Sequence, residues 1–134
     1  MAKFKLNFIH LCDDAIFSQD GKLSLIGIFE VINVVTLPGS LLKAYLVFNL
    51  NVLDEALKEV YIDISIKNVN SGKEVMNISN LKTPIKKVGD EIKLGVTLQL
   101  VNITFIEESK HLIELRINKE VVGKLFFEVK LQTK

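Results

Sequence analysis

Tryptophan is absent from the 134 residues, cysteine occurs once and proline twice, and neither sign of charge prevails, with 17 Lys and Arg against 16 Asp and Glu. Each shortage removes a class of function. A balanced charge leaves no electrostatic footprint for a polyanion, and the missing indole leaves no strong platform for stacking bases, so nucleic acid is not an expected partner. The lone thiol, Cys12, cannot close an intramolecular disulfide and is easiest to keep in a reducing compartment, which makes a cytoplasmic location the expectation. Polar residues interrupt every hydrophobic run, so neither a secretory signal nor a membrane span is expected. The triplets Asn77-Ile78-Ser79 and Asn102-Ile103-Thr104 then read as chance matches to glycosylation acceptors.

What the chain does have is alternation. Almost half of it, 49%, is hydrophobic, and the apolar residues recur every second position, the period of a strand with one buried face. Phe4, Leu6, Phe8, His10 and Cys12 would share one face, and Leu23, Leu25, Phe29 and Val31 another, with Ser18-Gln19-Asp20-Gly21 as the turn between them. Gly21 would supply the positive backbone angle of that turn, and Gly27 would admit a bulge or a close approach. Further strands follow at Ala44 to Val52, Val60 to Lys67, a short stretch near Glu74 to Ile78, Glu91 to Leu100, Ile113 to Ile117 and Leu125 to Leu131. Beyond Leu100 the apolar set changes phase to Val101, Ile103 and Phe105, as a bulge or a crossing between sheets would produce. Asn80 to Gly89, with Pro84 and few apolar anchors, reads as the longest irregular connection. About eight strands and no run of helical period predict an all-β chain: a two-sheet antiparallel β-sandwich spanning 1–134 as a single domain, with a closed β-barrel as the alternative.

The run Leu11-Cys12-Asp13-Asp14-Ala15, followed by Asp20-Gly21-Lys22-Leu23-Ser24-Leu25-Ile26-Gly27-Ile28-Phe29 and then Pro38, resembles the opening of a family of short bacterial proteins that carry a domain of unknown function. Their pattern is Cys-Asp, a turn ending Gly-Lys, then Gly-x-Phe and a nearby proline. The resemblance implies a sandwich and carries no activity with it.

Candidate chemistry is sparse. A thiol enzyme would need Cys12 as nucleophile, His10 as base and Asp13 to orient it, but neighbours two apart on a strand stand about 6 to 7 Å apart, too far for direct proton transfer. Cys12 therefore reads first as a small structural hydrophobe. His10, Cys12 and His111 are the only soft or imidazole ligands, without zinc-site spacing. Asp13, Asp14 and Asp20 could gather around calcium at one end of a sandwich, although solvated turn acids are the ordinary reading. Glu107-Glu108 and Lys110-His111 read as a solvated chain tip, and Lys82, Lys86 and Lys87 as a basic cluster too small for nucleic acid. No cofactor is implied. One feature points elsewhere: several strands are apolar on both faces, notably at Ile26, Ile28 and Phe126, and a lone sandwich needs only one. A homodimer or a protein partner covering those three residues is the expectation, and the leading functional reading is a non-enzymatic interaction module.

Overall fold

The computed structural model describes residues 3–20 and 22–132, and every regular element in them is a strand. In chain order these are β1 (Phe4–Phe17), β2 (Leu23–Ile28), β3 (Val31–Val34), β4 (Gly39–Val52) and β5 (Glu59–Asn68). β6 (Glu74–Pro84), β7 (Lys86–Val88), β8 (Glu91–Phe105), β9 (Ser109–Ile117) and β10 (Glu120–Leu131) follow. They form two five-stranded sheets, ordered β2-β1-β4-β8-β7 and β3-β10-β9-β5-β6. Each sheet keeps its own edge strands, so the chain is a sandwich and the closed barrel is excluded. All pairings are antiparallel except that of β3 with β10, which is parallel and makes the second sheet mixed.

The core lies where the period-two pattern is cleanest. Ala44, Leu46, Phe48, Leu50 and Val52 of β4 face Val60, Ile62, Ile64 and Ile66 of β5 and Ile113, Leu115 and Ile117 of β9, all buried. Each such large side chain contributes about 1.5–3 kcal/mol on leaving water. Among the described residues no helix is long and apolar enough to cross a membrane.

The ten strands exceed the expected eight for two reasons. The run Leu23 to Val31 is two strands, because the chain passes at Phe29-Glu30 from the first sheet to the second, just after Gly27 within β2 takes a left-handed φ of 69°. The stretch Asn80 to Gly89 is not a loop: β6 continues to Pro84, and β7 pairs with β8. The phase change after Leu100 is present, with Asn102 at φ 53° marking it. Ile103 and Phe105 turn inward there, but Val101 remains exposed.

β1 corrects the expected facing. A register shift between Leu6 and Phe8 inserts one residue, so Phe4, Leu6, Ile9 and Leu11 pack on the core while Phe8, His10 and Cys12 stand on the outer face. Asp13 and Asp14, read from sequence as turn acids, lie within β1, which runs on to Phe17. Gly21, expected to shape the first turn, lies outside the described residues.

Candidate interaction surface

Two-residue alternation along β1 and its pairing with both neighbours assemble a patch on the outer face of the first sheet. Cys12 lies opposite Ile28 of β2 on one side and Tyr45 of β4 on the other, Asp14 opposite Ile26, and His10 opposite Val47. The rings of Phe8 and His10 stack at 5.7 Å with 21° between their planes. Although it is on an outer face, Cys12 is fully buried, walled laterally by Ile28 and Tyr45, and its Sγ–H approaches the Tyr45 carbonyl at 3.7 Å. Val47, registered between His10 of β1 and Thr97 of β8, is buried as well. Away from Cys12 the same face is open to solvent: Ile28 is 53% exposed, and Ile26 and Ile16, further along it, are 49% and 48% exposed. The patch is thus a second, smaller apolar layer laid on the back of the sheet with its own exterior uncovered.

The outer face of the second sheet has the opposite character. Asp63, Ser65 and Lys67 of β5, Asn77 and Ser79 of β6, and Glu114 and Arg116 of β9 line a shallow groove of about 250 Å³. Two pairs of its charges are satisfied within the groove. Arg116 Nη2 lies 2.6 Å from Glu114 Oε1, and Lys119 Nζ lies 3.3 Å from Asp63 Oδ2. Asp63 also accepts the Asn80 N–H at 2.7 Å, and that bond, with Lys119 and Arg116 nearby, holds its carboxyl below the usual range.

Phe126 belongs to this second sheet. It is 45% exposed beside Glu30, Val31, Glu128 and Lys130, with the Lys110 ammonium 4.5 Å from its ring centroid. The three residues expected to form one interface are therefore divided: the structure brings Ile26 and Ile28 together and puts Phe126 on the other sheet. Sequence could not foresee the division, because which sheet a strand joins is a non-local property.

The candidates for chemistry do not converge. Burial pushes the Cys12 thiol above its usual range, and the neighbouring Asp13 charge adds to the shift, so the thiolate is disfavoured. Asp13 is exposed beside Gly27, Asp14 bonds the N–H of Ala15 with its own Oδ1, and Asp20 is held in the first turn by Ser18 and Lys22. Among the described residues no group of three or more His, Cys, Asp or Glu side chains could hold a metal ion. His111 is not at a solvated tip: it is buried on the inner face of β9, edge-on to Phe105 at 5.1 Å and stacked on Phe127 at 5.3 Å. Its Nδ1 lies 3.0 Å from the Ser109 carbonyl, and Ser109 Oγ donates to buried Asn68, whose amide reaches Glu107. This buried polar group escaped the sequence reading. The signal for it was Asn68, which falls on the inward phase of Val60, Ile62, Ile64 and Ile66.

Comparison with known proteins adds the fold and a family. The structure is similar to a stretch of the Pseudomonas fluorescens alkylpurine DNA glycosylase AlkC, with a TM-score of 0.57 and 16% identity, covering 96% of this chain and 31% of that one. It is also similar to part of a β-glucosidase from Listeria innocua, with a TM-score of 0.51 and 11% identity, covering 95% of this chain and 16% of that one. An immunoglobulin-like protein from Pseudomonas aeruginosa aligns over 96% of this chain and 98% of its own, with a TM-score of 0.45 and 11% identity. The chain thus spans under a third of the two larger proteins, and at these identities the likeness is one of fold. No curated protein matches the sequence significantly. A family model does match, over residues 7–130, and the chain belongs to that family, DUF6941, a family of unknown function.

Proposed function

We infer that this protein is a non-enzymatic β-sandwich module that works by associating with a second copy of itself through the outer face and edge of its first sheet. The observation that carries the reading is the row of half-exposed Ile28, Ile26 and Ile16 that runs from the buried Cys12 along β1 and β2, on a sheet face that no other element of the described chain covers. Apolar side chains clustered on the back of a sheet are what a subunit contact buries, whereas single scattered ones need no explanation. The second sheet, with self-paired charges on its back, offers the contrast within the same molecule.

An inaccessible thiol with a raised pKa and acids dispersed over strand and turn favour this reading over a thiol enzyme or a calcium module. A reduced, buried cysteine also fits a reducing compartment. Sedimentation equilibrium at micromolar concentration tests the proposal. A dimer is expected for the unaltered chain, with dissociation on Ile26→Lys. A strictly monomeric chain overturns it.

A further inference from the structure

Charged side chains that point outward from a sheet ordinarily stand in water, yet two carboxylates on the back of the second sheet do not: the Glu114 side chain is only 13% exposed and that of Asp63 only 17%. They form the floor of the groove described above. Strand register builds that floor in two adjacent rows. Ser65 of β5 lies opposite Asn77 of β6 on one side and Glu114 of β9 on the other, and Asp63 lies opposite Arg116. Glu114 is tied through one oxygen only: its Oε1 accepts Arg116 Nε at 2.7 Å and Nη2 at 2.6 Å, and its Oε2 is left open. Among the described residues, Ser65 Oγ, the Asn77 side-chain nitrogen and Arg116 Nη1 likewise make no hydrogen bond within the chain. A carboxylate oriented by a guanidinium through one oxygen is a fixed acceptor, so a ligand that bonds the other oxygen spends little on ordering it.

The lining selects the class of ligand. Asp63, Glu74 and Glu114 are matched by Lys67, Arg116 and Lys119, so the groove favours neither an anion nor a cation. What it displays instead is donors and acceptors side by side: an open carboxylate oxygen, a guanidinium, an amide and a hydroxyl. A polyhydroxyl ligand matches that display, because every hydroxyl both donates and accepts. Tyr61 stands one alternation before Asp63 on the same outward phase of β5 and is 43% exposed, which offers a flat apolar surface to the C–H face of a sugar ring. We propose that the groove across β6, β5 and β9 binds a neutral saccharide. Glu114 Oε2 and Arg116 hold hydroxyls of one ring, Ser65 and Asn77 hold those beside them, and Tyr61 carries an apolar ring face at the end of the groove. A volume of about 250 Å³ takes a single ring and leaves the rest of a longer chain in solvent, so the dissociation constant is on the order of 1 mM. The site lies on the opposite sheet from the isoleucine row and does not depend on self-association.

Amide correlation spectra of the full chain test the site by position as well as by affinity. The probes are glucose, galactose, mannose and N-acetylglucosamine, with the tetraoses of cellulose, amylose and chitin, and glycerol and triglycine as the polyol and peptide comparisons. At least one saccharide is expected to move the signals of Asp63 to Lys67, Asn77 to Ser79 and Glu114 to Arg116 saturably. Glu114→Gln keeps the size of the side chain and removes its charge, and it should raise the dissociation constant about ten-fold. Asn77→Ala, on the edge strand, should weaken binding in the same direction with the denaturant midpoint little changed, which separates loss of the site from loss of the fold. The proposal is overturned if no saccharide moves these signals at about 50 mM, or if glycerol or triglycine moves them as strongly as the best sugar. Binding by Glu114→Gln and Asn77→Ala that equals that of the unaltered chain overturns it as well.

Discussion

Gly27 is a residue whose identity both its backbone and its nearest neighbour dictate. Its φ of 69° is left-handed, and a Cβ there would overlap Asp13 Oδ2 and lie 2.9 Å from Asp13 Cγ. Gly27→Ala is expected to cost about 1–2 kcal/mol from the dihedral alone, with the Asp13 overlap added to it. Urea melts of Gly27→Ala in the native and Asp13→Ala backgrounds separate the two parts, and the loss should be smaller where Asp13 has been shortened. His111 makes a prediction of opposite character, because its environment acts on its charge. Burial between Phe105 and Phe127 lowers its pKa, only partly offset by the Ser109 carbonyl and the Glu107 charge. The unfolded chain therefore takes up a proton at higher pH than the folded one. Stability from this residue is intact above the ordinary histidine value of about 6.5 and declines as pH falls from there towards the lowered folded value. The urea midpoint should drop between neutral and mildly acidic pH, and that drop should shrink in His111→Gln.

At the scale of elements, the β9–β10 hairpin shows a turn formed against local preference. Asn118 and Lys119 both have positive φ, at 50° and 72°, the geometry of a two-residue turn that suits strand twist and favours glycine at its second position. Lys119 is tied to Asp63 by a bridge whose lysine end is largely in solvent and which contributes little. Lys119→Gly is expected to raise stability by about 0.5–1 kcal/mol, read from the denaturant midpoint. The strands on either side of this turn were legible in sequence because Ile113 to Ile117 and Leu125 to Leu131 each keep the two-residue alternation. β4 and β5 were legible for the same reason. β1 was not: one inserted residue near Asn7 exchanges its faces, and no glycine or proline marks the place. The lysine-rich stretch before Gly89 failed differently, since an edge strand can be polar and still pair. Of the interface, Ile26 and Ile28 were visible as apolar residues on the wrong phase of a strand that needed one buried face. Their separation from Phe126 was not visible, because it depends on the chain changing sheets at Phe29-Glu30.

For the whole molecule, stability resides in the shared core and association in the back of one sheet, so the two should be separable by substitution. Phe48→Ala removes a fully buried ring from the middle of β4 and is expected to cost about 3–5 kcal/mol, measured by chemical denaturation. Ile26→Lys, on an exposed side chain, should leave the monomer's denaturant slope unchanged and abolish the rise of melting temperature with protein concentration that a self-associating chain shows. The parallel pairing of β3 with β10 has a further consequence. Val31–Val34 is made early on the ribosome, yet its partners on the strand it zips onto, Glu128 to Leu131, come 97 residues later. During translation β3 must wait, tethered to a half-built second sheet. A nascent chain stalled after Ile117 but before Glu120 exposes both that orphan strand and the unpaired flank of β9, and it should depend on holdase chaperones in a way the finished protein does not.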